Sequence, residues 1–137
     1  MLLAFLSIAT ILGPGCIAPS KPQLTALEGS WVGREVTPGR EGPATLTVSG
    51  HHLDFLGANS DEWLKGTFIL RENTNPKQFI GVVTDCAAPQ YVGLKSYSIF
   101  TIENETLTLT GSELGITNFP ASFDAPDARR FVFKRDQ

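Results

Sequence analysis

The sequence predicts an all-β protein, an antiparallel up-and-down barrel of about eight strands. From Leu27 onward, apolar and polar residues alternate with a period of two, and turn-forming residues interrupt this alternation at short intervals. No segment carries an apolar stripe of helical spacing that is long enough to predict a helix. A closed barrel is favoured over an open sandwich of two sheets, because closure leaves no strand edge unpaired.

Each predicted strand has one apolar face. Ala44, Leu46 and Val48 lie on one face of the second strand, and the residues between them are threonines. This pattern is typical of an antiparallel strand that is half buried and exposes a threonine-rich face to water. The same pattern predicts strands at roughly residues 29–36, 44–49, 52–57, 64–71, 78–84, 96–103, 106–111 and 129–135.

Short turns join most of the predicted strands, so consecutive strands are expected to pair in order. Residues 49–52, which read Ser-Gly-His-His, and residues 103–105, which read Glu-Asn-Glu, are predicted to form tight hairpin turns. Two connections are longer, residues 85–95 and 112–128, and both are rich in Pro, Gly and Ala. If one end of the barrel is open, these two loops are its expected movable rims.

The chain begins with an uncharged apolar run, MLLAFLSIATIL. It has the length of the hydrophobic region of a signal peptide and is shorter than the ~20 residues of a membrane-spanning helix. The run ends at Gly13-Pro14-Gly15-Cys16, which resembles the end of a bacterial lipoprotein signal, where small residues precede a cysteine that is diacylated and becomes the mature N-terminus. The predicted division is a signal peptide at 1–15, a tether at 16–25 and the barrel domain at 26–137.

The leader predicts export. With lipidation at Cys16, the protein is expected to be an outer-membrane lipoprotein facing the periplasm, because no Asp follows the cysteine. The alternatives are plain secretion and an apolar segment that docks on the domain. The lipid anchor is the only membrane contact expected, and the domain is expected to be a monomer.

The composition argues against several classes of function. The chain has 11 Lys and Arg against 14 Asp and Glu, and no basic block that would bind nucleic acid. Two cysteines and two histidines provide few metal ligands, and the adjacent His51 and His52 would point to opposite faces of a hairpin. Neither a metal nor another cofactor is therefore expected.

No residue is predicted to be catalytic. The chain lacks a Gly-x-Ser-x-Gly elbow, a phosphate-binding Gly loop and a His-Glu-x-x-His pattern. The carboxylate pairs Asp61–Glu62 and Asp124–Asp127 lie in predicted loops, without apolar surroundings that would desolvate one carboxyl group for acid–base catalysis. Cys86 has three interpretations: a free thiol, a disulfide with Cys16, or a reactive nucleophile.

Leu27-x-Gly29-x-Trp31, at the start of the first strand, is similar to the Gly-x-Trp opening of the lipocalins and related calycin barrels. In that superfamily the Trp closes the base of the barrel and an Arg from the last strand covers it. The resemblance implies these roles for Trp31 and Arg130, with Arg129 as the alternative. A guanidinium stacked on an indole contributes roughly 0.5 to 2 kcal/mol.

A second resemblance covers nearly all of residues 24–135, and it is to an uncharacterised lipocalin-like domain family found repeatedly in exported bacterial proteins. It implies a barrel fold more than an activity. The pieces that carry it are Leu46-Thr47-Val48-x-Gly50, Lys65-Gly66-Thr67-Phe68, Asn75-Pro76-Lys77, Ile99-Phe100 and Thr106-Leu107-Thr108-Leu109.

Large aromatic side chains dominate the predicted inner face. They form either a solid core or an apolar cup that narrows at Trp31 and takes a small lipophilic ligand. The expected function is therefore a non-catalytic, envelope-tethered binding module. The alternatives are a solid barrel that binds an envelope protein or glycan, and a small hydrolase or isomerase. The candidate cavity residues are Phe55, Phe68, Phe79, Phe100 and Phe131, and Trp31 and Phe133 share their inner face.

Overall fold

The computed structural model describes residues 26–136 and forms one closed antiparallel barrel. Each strand pairs with the next in sequence, and the last strand pairs with the first. The predicted fold class is confirmed, and every strand lies within about two residues of its predicted bounds. The strands are β1 (Gly29–Glu35), β2 (Gly42–Ser49), β3 (His52–Leu56), β4 (Trp63–Arg71), β5 (Lys77–Cys86), β6 (Lys95–Glu103), β7 (Thr106–Ser112) and β8 (Ala128–Arg135).

The predicted signal peptide, the lipidation site Cys16 and the tether lie outside the described residues. Among residues 26–136, no helix is long and apolar enough to cross a membrane.

The two hairpins predicted to be tight have two-residue turns. Ser49 pairs with His52, and Gly50 between them has a φ of 59°, as the first position of a type II′ turn requires. Asn104 and Glu105 both have positive φ, 51° and 62°, which is the backbone of a type I′ turn. Both turn types match the right-handed twist of the strands that they join.

Barrel closure depends on a close approach between β1 and β8. A Cβ atom on Gly33 would lie 2.0 Å from the backbone oxygen of Val132, so no larger residue fits without moving one of the strands. The ladder between the two strands runs from the pair Trp31 and Arg135 to the pair Glu35 and Phe131. We call the end of the barrel at Trp31 the closed end and the end at Glu35 the open end.

The inner face carries the apolar residues that alternation predicts. All seven aromatic residues of the predicted inner face belong to the core or pack against it. The largest fully buried side chains include Trp31, Phe100 and Phe133. Burial is tightest toward the closed end, where Leu27 also joins the core.

The loop between β7 and β8 packs in part along the outer wall of the barrel, whereas Glu113 and Leu114 at its start line the interior at the open end. The ring of Phe119 meets that of Tyr97 edge-on at 5.1 Å, and the Thr110 hydroxyl donates a hydrogen bond to the Phe123 carbonyl oxygen at 2.8 Å. Ile99, which lies between Tyr97 and Thr101 on the outer face of β6, is only 2% exposed.

Candidate ligand-binding site

A cavity of about 120 Å³ lies inside the barrel toward the open end. It exists because the inward side chains differ in size between two walls of the barrel. The wall formed by β4 to β7 carries residues with little or no side chain: Gly66, Gly81, Ser96, Ser98 and Gly111. The facing wall carries large apolar residues: Leu46, Leu53, Phe55, Phe131 and Phe133.

Three of the five predicted cavity residues, Phe55, Phe79 and Phe131, line this cavity. Phe68 and Phe100 do not line it and are packed among other core residues, where they are 2% and 1% exposed. The Phe68 ring stacks on that of Phe79 with centroids 4.8 Å apart. The two interpretations of the inner face therefore describe two parts of one barrel, a solid closed half and a hollow open half.

The closed end is capped by an arginine, but not by the one predicted. Trp31 is 0% exposed, and its Nε1 donates a hydrogen bond to the Leu27 carbonyl oxygen at 2.9 Å. The guanidinium carbon of Arg135 lies 4.3 Å from the centre of the indole ring. Arg130 cannot take this position, because strand alternation places it on the outer face, opposite to Phe131.

Arg135 also fixes the entry of the chain into β1. Its Nη1 donates a hydrogen bond to the Glu28 carbonyl oxygen at 2.7 Å, and its Nη2 donates to the carbonyl oxygen of Ala26. Its Nε pairs with the Glu105 carboxylate at 2.6 Å. One side chain thus joins the residues before β1, the β6–β7 turn and the last strand.

The open end carries a buried ion pair that sequence reasoning did not identify. Glu35 is 5% exposed and accepts two hydrogen bonds from Arg129, from Nε at 2.9 Å and from Nη2 at 2.6 Å. The Thr37 hydroxyl donates a third, at 2.8 Å. The signal was available, because Glu35 shares the inner face with Trp31 and Arg129 shares it with Phe131.

The environment of this pair sets its protonation. Burial by itself raises the pKa of Glu35, but the hydrogen bonds from Arg129 and Thr37 and the nearby positive charge outweigh it and hold the pKa below its ordinary value. The hydrogen bonds to Glu35 raise the pKa of Arg129. The pair is therefore fully ionised at neutral pH.

A second ion pair lies at the rim of the cavity. Arg40 Nη1 and Glu113 Oε1 are 2.7 Å apart, and each side chain is 47% exposed. An exposed pair of this kind contributes about 0 to 1 kcal/mol. Among the described residues that line the cavity, Arg129 and Glu113 are the only titratable ones, and each is paired with an opposite charge.

The other candidate residues lie apart from the cavity. The thiol of Cys86 donates a hydrogen bond to the Ala88 carbonyl oxygen at 2.9 Å, and Cys16, its possible disulfide partner, is outside the described residues. His51 lies in the β2–β3 turn, with Nδ1 3.1 Å from the Phe68 carbonyl oxygen. Within residues 26–136, no group of three or more His, Cys, Asp or Glu could hold a metal ion.

No protein-family model, no curated protein sequence and no solved structure matches the chain. The resemblance to lipocalin-like domains stays a prediction from the sequence motifs, and the barrel itself is established by the strand topology.

Proposed function

We propose that the protein is an exported binding module that holds a small apolar molecule in the open half of its barrel. The cavity of about 120 Å³ is the observation that carries this proposal. Folded proteins leave few voids larger than a water molecule, because an empty space removes packing contacts from the atoms around it. A small ligand would restore those contacts.

The arrangement of charges favours binding without catalysis. General acid or base catalysis needs a titratable group that is free to exchange a proton with the substrate. Both titratable groups of the cavity lining are held in ion pairs, Arg129 with Glu35 and Glu113 with Arg40. The cavity thus has the apolar lining of a ligand pocket without a group poised for proton transfer.

Cavity occupancy can be tested with two variants at neighbouring positions of β7. Leu109→Trp places a large ring inside the cavity, whereas Thr108→Trp places the same ring on the outer face. The first probe is benzene, detected by NMR shifts of backbone amides in β4 to β7. We expect saturable shifts in the wild type and in Thr108→Trp, and none in Leu109→Trp.

Native mass spectrometry of the protein purified from its own envelope gives the second measurement. A bound mass that is released on denaturation is expected for the wild type and absent from Leu109→Trp. Circular dichroism must show that both variants keep the β fold. A wild-type protein that carries no mass and does not respond to benzene would overturn the proposal.

The membrane tether is the second part of the proposal and rests on Gly13-Pro14-Gly15-Cys16. Cys16→Ser should move the protein from the membrane fraction to the soluble fraction. Cys86→Ser is the matched control and should leave the protein in the membrane fraction. If Cys16→Ser stays with the membrane, the protein is not anchored by a lipid on this cysteine.

A further inference from the structure

We infer that the ligand is uncharged, fills about the volume of one six-membered ring, and carries a hydroxyl or carbonyl group that hydrogen-bonds to Ser98. This inference rests on the proposed function and names the chemical class of the ligand. Three independent features of the cavity support it: a hydroxyl that faces the cavity, the balance of charge and the volume.

The hydroxyl that faces the cavity belongs to Ser98, in the middle of β6. Ser98 is 3% exposed and lines the cavity. A Cβ atom on Gly111 would lie 2.6 Å from Ser98 Oγ and 3.8 Å from Ser96 Oγ, so both hydroxyls point to the space above that glycine. No hydrogen bond joins Ser98 Oγ to another protein group of residues 26–136, and this atom is open to the cavity instead of sealed in the wall.

A hydroxyl that faces a binding cavity is available to hydrogen-bond to the ligand. A hydroxyl both donates and accepts hydrogen bonds. A ligand hydroxyl or carbonyl oxygen placed above Gly111 would satisfy it. Because Gly111 has no side chain, the polar group of the ligand can approach the β6–β7 wall closely.

The balance of charge at the cavity favours an uncharged ligand. Arg129 is the only cation of the described cavity lining, and Glu35 already takes two of its hydrogen bonds. A carboxylate ligand would have to compete with Glu35 for that guanidinium. The charge of Glu113 is already paired with Arg40, so this residue offers no cation either. A neutral polar group does not have to compete for Arg129.

The volume limits the size of the ligand. An engineered protein cavity of about 150 Å³ with an apolar lining binds benzene. The cavity described above, at about 120 Å³, therefore holds a single ring or a short branched chain. A ligand with one ring and one polar substituent meets all three conditions.

The test compares phenol, benzene and benzoate binding to the full domain by isothermal titration calorimetry. In the wild type, we expect phenol to bind about 2 to 13 times more tightly than benzene, because a net hydrogen bond contributes about 0.5 to 1.5 kcal/mol. Benzoate should bind at least about 10 times more weakly than phenol, because its charge must be desolvated without a free cation.

Ser98→Ala should remove the preference for phenol and leave benzene affinity unchanged within about twofold. Ser30→Ala, at an exposed outer position of β1, is the matched control and should keep the preference. Benzene binding shows that Ser98→Ala still folds. If that variant does not fold, Ser98→Cys keeps the size and weakens the hydrogen bond.

The possible failures separate the two proposals. If benzene binds and phenol gains nothing, or gains equally in Ser98→Ala, the assignment of Ser98 is overturned and the proposed binding function stands. If benzoate binds more tightly than phenol, the assignment of an uncharged ligand is overturned. If neither benzene nor phenol binds to the wild type, both the inference and the proposed function fail.

Discussion

The two ends of the barrel are capped by the same residue type from the same strand, with opposite results. Arg135 and Arg129 both lie on the inner face of β8, six residues apart in the sequence. At the closed end, Arg135 stacks on a fully buried indole and binds backbone carbonyl oxygens. At the open end, Arg129 forms two hydrogen bonds to the buried carboxylate of Glu35.

The difference shows how one barrel can be solid at one end and hollow at the other. Trp31 is large enough to fill the space beneath Arg135, so closure there depends on packing and dispersion. At the other end, the small residues of β4 to β7 leave a cavity, and an ion pair lies beside it. An ion pair fixes the position of two side chains without filling the volume between the strands. The following predictions test this division of roles.

Removal of the indole should have the largest effect. Trp31→Ala is expected to lower the free energy of unfolding by about 3 to 5 kcal/mol, because it leaves a large void in the packed half and removes the surface on which Arg135 stacks. Urea denaturation gives the measurement. Trp63→Ala, at a half-buried position on the outer side of β4, is the control and should cost about 1 kcal/mol or less.

An unfolding free energy that falls equally in the two tryptophan variants would contradict the view that the closed end depends on the packing of Trp31. A melting temperature measured for both proteins at the same concentration and pH supplies an independent check.

Removal of one partner of the Glu35–Arg129 ion pair should have the next largest effect on stability. Arg129→Ala leaves the Glu35 carboxylate buried without its charged partner, and we expect the free energy of unfolding to fall by about 2 to 3 kcal/mol. This is below the full cost of a deeply buried pair, since the Arg129 side chain is 24% exposed and water can enter in its place. Urea denaturation at neutral pH measures it.

The double variant Glu35→Leu/Arg129→Leu is the control for this prediction. It removes both charges and fills part of the space with apolar groups, so it should recover most of the stability that Arg129→Ala loses. If the double variant is no more stable than Arg129→Ala, the cost does not come from an unpaired buried charge.

Two arginine variants on opposite faces of β8 test the closed end. Arg135→Ala removes the stacking on Trp31 and the hydrogen bonds to Glu28 and Ala26, and it should cost about 1 to 3 kcal/mol. Arg130→Ala, on the outer face of the same strand, should cost less than Arg135→Ala. Equal losses in the two variants would contradict the assignment of Arg135 as the residue that covers the indole.

Strand alternation was enough to predict the fold, and it could also have identified both arginine caps. The period of two assigned each strand and its inner face, from Trp31 on β1 to Phe133 on β8. The same alternation places Arg129 and Arg135 on the inner face of β8 and Arg130 on the outer face. Arg130 was predicted from the resemblance to lipocalins, without a check of which face of the strand it occupies.

The cavity could not be predicted in this way. It depends on the volumes of side chains that meet across the barrel, such as Phe55 and Gly111, which are far apart in the sequence and on strands that do not pair. Alternation shows which residues point inward, but it does not show whether their combined volume fills the interior. The outward packing of the β7–β8 loop was also missed, because a loop without a repeating pattern gives no sign of the surface that it covers.

The smallest expected effect is a dependence of stability on acidic pH that comes from Glu35 at the open end. Because the folded protein holds the pKa of Glu35 below its ordinary value of 4.5, the ionised carboxylate stabilises the fold fully above that pH. This contribution is lost as the pH falls from 4.5 through the lower pKa of the folded state.

Glu35→Gln cannot be ionised, so the stability difference between wild type and Glu35→Gln should shrink over this range. The loss should be smaller than that caused by Arg129→Ala, because protonation keeps the side chain and its packing in place. The measurement is urea denaturation of both proteins from pH 6 to pH 3. A difference that stays constant over the whole range would show that the charge of Glu35 does not stabilise the open end.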